Sequence, residues 1–248
     1  MTESCVQTEH TRIGLSGNVL KVIAAITMLI DHIGYLLFPG NLLLRIIGRL
    51  AYPIYAFMIA EGCRYTQNKL RYFLGIFILA IVCQTVYFVV VQDPGLSILV
   101  TYSISILLIY AWQFCQKAFS EAGVGKRILS VLLLITLITA VYVLNLFVTV
   151  DYGFWGSMVP LIAGLFMRRD GKESKMDRKV VHVSMLGIGL LLLSMEYGYI
   201  QPYCLLALPL LYLYNGQRGK RKMKYFFYIF YPAHLVVLQG IYLLLQLF

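Results

Sequence analysis

Charge is scarce in this sequence, and acidic charge is scarcest. Of 248 residues only 13% are charged, with 11 Asp or Glu against 21 Lys or Arg. Soluble globular domains carry roughly a quarter charged residues, so that class is excluded, together with disordered chains and coiled coils. The five cysteines (Cys5, Cys63, Cys83, Cys115 and Cys204) are an odd set without CxxC or metal-ligand spacing. They argue against a disulfide scaffold and against a metal site, and are expected to be free thiols facing core or lipid. The first apolar run is too long for a signal-peptide h-region, is interrupted by Asp31-His32 and lacks a small-x-small cleavage site, so no cleavable leader is expected. No repeat or internal boundary is evident, and a single domain over 1–248 is expected. The basic surplus does not point to nucleic acid, because aliphatic and aromatic residues fill the long stretches between basic clusters.

What is present is hydrophobicity, at 60% of residues. A bilayer core of ~30 Å is crossed by about 20 mostly apolar residues in a helix. Such runs occupy roughly 16–38, 43–63, 70–91, 96–116, 127–148, 153–168, 180–196, 199–214 and 224–247. The expected fold is therefore all-α, a polytopic membrane helix bundle of about nine transmembrane helices in a lipid bilayer, with the sixth and eighth runs short. The loops orient it. Seventeen of the 21 basic residues fall in alternate loops, those after runs two, four, six and eight, while the opposite loops hold no Lys or Arg and one acid each, Asp93, Asp151 and Glu196. By the positive-inside rule the basic loops and the N-terminus face the cytoplasm.

An ionisable side chain at bilayer depth costs ~2.5–3.5 kcal/mol on insertion scales and usually faces the bundle interior with a partner. Here these are Lys21, Asp31, His32, Arg45, Arg49, Glu61 and His234. Asp31-His32 near the outer end of run one and Arg49 near the start of run two share one level, about 10 Å below the outer surface at ~1.5 Å per residue. The Pro39-Gly40-Asn41 turn makes the two runs antiparallel neighbours. An ion pair of Asp31 with Arg45 or Arg49 is expected. Its structural alternative is a pair that only fixes helix packing.

Lys21 and His32, eleven apart, share a helix face to within ~20°, with His32 ~16 Å outward. That separation is about the reach of an extended pantetheine arm. The alternative for Lys21 is a lysine snorkelling to the interface. Asp31 and His32 point ~100° apart, so a partner that orients His32 must come from another helix. His234 lies near the middle of the last run, after Pro232, with Tyr228 and Tyr231 near the same face. Glu61, near the cytoplasmic end of run two, is expected at the interface.

The blocks LIDHIG (29–34), LRIIGRLAYPIYAFMIAEG (44–62), DYGFWG (151–156), LYNGQRG (213–219) and KYFFYIFYPAHL (224–235) together span most of the chain. In them the sequence resembles the TraX family of integral membrane proteins, within the broader transmembrane acyltransferase superfamily. The resemblance implies acyl transfer from acetyl-CoA or another acyl-CoA to a peptide amine or a glycan hydroxyl, in the cytoplasmic (inner) membrane. Relatives often carry Arg, ten residues and then His in the first conserved helix. Lys21 and His32 hold that spacing, with Lys replacing the bidentate Arg fork. On this reading His32 is the general base, Asp31 orients or balances charge, and His234 is a supporting donor or the alternative base. Lys21 and Arg218 hold donor phosphates, while Arg45 or Arg49 faces the developing oxyanion. Two other classes remain open. A proton-coupled transporter or flippase would use the same Asp/His/Arg cluster as a relay, although matching inverted halves are not apparent. A membrane scaffold for export or assembly would need no chemistry at all.

Overall fold

The computed structural model describes residues 14–91, 94–167, 175–219, 221 and 223–247. Basic and acidic loop residues expected to set orientation (Arg168, Arg169, Lys172, Lys220, Lys222 and Asp93), and Cys5 and Arg12, lie outside them. No strand occurs among the described residues. Ten helices follow in order: α1 Gly17–Leu36, α2 Leu42–Gly48, α3 Ala51–Tyr65, α4 Lys69–Val86, α5 Ile98–Glu121, α6 Val124–Phe147, α7 Gly153–Gly164, α8 Lys175–Tyr197, α9 Leu208–Tyr212 and α10 Lys224–Gln246. A π turn, Tyr87–Val91, extends α4, and a 3₁₀ helix, Gln201–Ala207, leads into α9.

Local chemistry sets the boundaries. Ser16 caps α1 by accepting from the Val19 amide, Asn41 caps α2 through the Leu43 and Leu44 amides, and Asn68 caps α4 through that of Arg71, each meeting amides the helix leaves unpaired. The second apolar run, expected as one helix, is interrupted between α2 and α3. Pro53 cannot donate to the Arg49 carbonyl four residues earlier, and its ring crowds that carbonyl. Arg49 thus closes α2 as its C-cap.

Seven described helices are long and apolar enough to cross a membrane, counting α2 and α3 as one. The expectation was nine. The two that fall short of that length are the short ones: run six is α7, 12 residues and ~18 Å long, and run eight is the 3₁₀ helix followed by the five-residue α9. α7 is enclosed by other helices, where protein in place of lipid meets its backbone groups, whereas 201–212 leaves Tyr203, Leu206 and Tyr212 exposed. Tyr52 donates to the Gly156 carbonyl (2.8 Å), Ser105 to that of Ser157 (2.9 Å) and Trp112 to that of Leu165 (3.0 Å). In contrast, α6 has only Ser130 and Val141 buried; its apolar faces suit lipid.

The two ends of the bundle are tied by loops. At one, Leu15 donates to Leu213 and Asn215 to Leu15 (2.8 and 2.9 Å); at the other, Leu96 donates to Thr149 and Asp151 to Leu96 (2.8 and 2.9 Å). The core runs between them through Leu20, Ala24, Ile54, Ile106, Val159, Leu186 and Leu190. Cys63, Cys83, Cys115 and Cys204 are free and buried.

Candidate functional site

Helix α1 stays unbroken from Lys21 to His32, so the shared face read from their spacing is present. Asp31, one residue from His32, turns to α2. Its carboxylate meets Arg45 at 2.9 Å and the Arg49 guanidinium at 2.9 and 3.0 Å. Both candidate arginines are engaged, not one. Arg45 also donates to the Asp31 carbonyl (3.2 Å) and lies over the Tyr35 ring. Arg49 is held further by Tyr152 Oη (3.4 Å) and Gln201 Oε1 (3.3 Å). Tyr152 is fixed in turn by stacking on Tyr52, centroids 4.2 Å apart. Gly48 makes the cluster possible, because a Cβ there would overlap the Asp31 side chain.

His32 finds its partner on α10. His234 Nε2 lies 3.4 Å from His32 Nδ1, with ring centroids 5.0 Å apart. Each Nδ1 also lies 2.9 Å from a carbonyl one turn earlier, Met28 for His32 and Phe230 for His234. A carbonyl only accepts, so both Nδ1 atoms carry hydrogen in the neutral rings, and this assigns the tautomers. His234 Nε2 is then an acceptor, and His32 Nδ1–H is shared between it and the Met28 carbonyl. The lone pair of His32 is left on Nε2. Phe230 stacks on His234 (5.1 Å) and Tyr231 meets it edge-on (5.5 Å).

These groups surround one cavity of about 1500 Å³. Lys21, Arg71 and Arg218 line it, as do His32, Asp31, Arg45, Arg49 and Asp151; along α1, Lys21 lies ~16 Å from the level that Asp31 and His32 share. His32 is in its wall and His234 stands behind it. Glu61 also lines the cavity, near the end of α3, where it is buried and paired with buried Arg64 at 3.6 Å. A smaller pocket of about 250 Å³ abuts Arg45, Arg49, Tyr197 and Gln201. Among the described residues no three His, Cys, Asp or Glu side chains group as a metal site.

Sequence reasoning missed Tyr152, Gln201, Gly48 and Arg71. Tyr152 sits in the DYGFWG block and Gly48 in the LRIIGRL block, so both were marked as positions but not as contacts. Gln201 carried no signal, since a lone glutamine in an apolar segment has no spacing to read.

A family model described as "TraX protein" matches residues 16–242. Over 257 aligned residues the chain is 30% identical to "Probable fimbrial assembly protein FimC, serogroup H1" of Dichelobacter nodosus, covering 94% of this chain and 98% of that protein. A 54-residue stretch is 43% identical to "Uncharacterized protein RP591" of Rickettsia prowazekii (strain Madrid E), covering 22% of this chain and 21% of that one. No solved structure matches.

Proposed function

The chain belongs to the TraX family, and from that premise we propose that it is an acyl-CoA-dependent transferase of the cytoplasmic membrane. It moves an acyl group from cytoplasmic acyl-CoA to an amine or hydroxyl of a membrane-associated or exported acceptor. The observation that carries this reading is the His32–His234 pair: a histidine whose Nε2 has no hydrogen-bond partner among the described residues, on the wall of a cavity also lined by Lys21, Arg218 and the half-buried Asp31/Arg45/Arg49 cluster.

The donor's phosphates meet Lys21 and Arg218, and its arm follows α1 for the ~16 Å to His32. His32 Nε2 takes the proton from the acceptor N–H or O–H as that atom attacks the thioester carbon. The C–N or C–O bond forms, and the C–S bond breaks. The proton on His32 passes to the departing sulfur, which leaves as the CoA thiol. During the step the imidazolium is stabilised through Nδ1–H by the Met28 carbonyl and His234 Nε2, as a third group orients the base in a catalytic triad. His234 is thus a positioning residue. A cation stabilises the oxyanion, and Arg45, more exposed than Arg49 (24% against 13%), has the freer guanidinium for it. The Dichelobacter relative's name suggests a fimbrial subunit as acceptor here also.

The test is transfer of label from [14C]acetyl-CoA to membrane or exported fractions by the purified protein in nanodiscs. Label on an acceptor and stoichiometric CoA release support the reading. Neither label nor a CoA-dependent thermal shift would overturn it.

A further inference from the structure

The first turn of α4 carries two cations that face different ways. Lys69 lies over the Tyr110 ring of α5, 4.9 Å from its centroid, and its carbonyl accepts from Tyr110 Oη (3.1 Å). Arg71, about 200° further round the helix, lines the large cavity instead. Two close approaches give its depth. A Cβ on Gly48 would overlap the Asp31 side chain, and a Cβ on Gly62 would overlap the Tyr72 ring. Gly48 is thus level with Asp31-His32, and Gly62 lies beside the residue that follows Arg71. The two glycines are fourteen residues apart along α2 and α3, ~21 Å at ~1.5 Å per residue. Arg71 therefore reaches the cavity roughly 20 Å inward of His32, near the level of Lys21 at ~16 Å.

Lys21 and Arg218 are neighbours. The loop that carries Arg218 is strapped to the start of α1: the Gly17 and Asn18 amides donate to the Gln217 and Arg218 carbonyls (2.8 and 3.0 Å), and Asn18 Nδ2 donates to that of Arg221 (2.6 Å). These bonds, with Ser16 on the Val19 amide, occupy the first-turn amides of α1, so an anion here is met by side chains and not by the helix end. Arg71 comes from another wall, since α1 packs on α2, α3 and α10, and α4 on α3, α5 and α10. Among the described residues none of the three cations pairs with a carboxylate, and Glu61, which lines the same cavity, is engaged by Arg64. Two cations side by side and a third apart therefore stand without counter-charge. Coenzyme A carries its phosphoryl groups in the same arrangement: a diphosphate in line with the pantetheine arm, and a phosphomonoester set aside on the ribose. Resting on the donor reading above, we propose that Arg71 is the contact for the ribose 3′-phosphate, with Lys21 and Arg218 on the diphosphate, so that the protein distinguishes acyl-CoA from its 3′-dephospho form. A terminal phosphate offers the guanidinium fork two oxygens at once.

The probes are CoA and 3′-dephospho-CoA, titrated by calorimetry against the full chain in nanodiscs. A charge-assisted arginine–phosphate contact is worth about tenfold in affinity or more, so the wild type binds CoA at least about tenfold more tightly than dephospho-CoA. Arg71→Met weakens CoA by that factor, leaves dephospho-CoA unchanged and brings the ratio to about one. Arg71→Lys, which keeps the charge and loses the fork, gives an intermediate ratio. Lys21→Met weakens both ligands alike, and Lys69→Met, on the Tyr110 side of the same turn, weakens neither. Equal binding of the two ligands by the wild type, or a ratio that Arg71→Met leaves in place, would overturn the assignment of Arg71 while leaving the donor reading intact. Binding of neither ligand would overturn the donor reading, and the assignment with it.

Discussion

Replacing Asp31 by Ala removes the carboxylate that Arg45 and Arg49 share. The three side chains are 16%, 24% and 13% exposed and the N–O distances are 2.9 Å, so this is a mostly buried triad. Deleting one partner of a buried pair costs about 3–5 kcal/mol, because a charge is left without compensation. Tyr152 and Gln201 still accept from Arg49, which places the loss near the lower end, about 3 kcal/mol. For a chain of this size that is a fall in melting temperature of roughly 6–12 °C. Removing the stranded charge as well reverses part of it: Asp31→Ala/Arg49→Met is less destabilised than the two single changes added, by about 1–3 kcal/mol. Intrinsic fluorescence melts of the four proteins in one detergent measure the cycle. A loss under about 1 kcal/mol for Asp31→Ala, or strict additivity, would refute the buried-triad account.

Two further outcomes use the same preparations. Gly48→Ala forces a methyl against the Asp31 carboxylate and lowers stability by about 1–3 kcal/mol, whereas Gly40→Ala, with open space around its Cβ, is neutral in the same melts. Lys21→Met raises KM for the CoA donor about tenfold with kcat little changed, the signature of lost binding; an unchanged KM with a lower kcat would remove Lys21 from the donor contacts.

Periodicity and loop charge made most of the bundle legible, because long lipid-facing helices such as α6 must be apolar along their length. The same criterion failed for α7 and for 201–212. α7 packs among other helices, so its length is not bound to bilayer thickness, and 201–212 is split into a 3₁₀ helix and the five-residue α9. At the site, α1 alone carried the Lys21–His32 register and the need for an outside partner for His32. That the partner is His234, 202 residues away, follows only from how α10 packs on α1. Asp31 with Arg45 and Arg49 was readable because one short turn fixes their level. Tyr152 and Gln201 arrive from distant segments, and no local pattern announces such contacts. Glu61 and Arg64 pair one turn apart in α3 and are equally buried, a contact that depth alone does not announce.

The central claim is that His32 is the base and His234 its support. The direct measurement is single-turnover transfer from labelled acyl-CoA by the wild type, His32→Gln and His234→Gln, with CoA binding followed in parallel. The account predicts a loss of about 10²–10⁴-fold for His32→Gln, a smaller loss for His234→Gln, and CoA binding retained in both. Transfer by His32→Gln within tenfold of wild type, or a greater loss for His234→Gln, would contradict it.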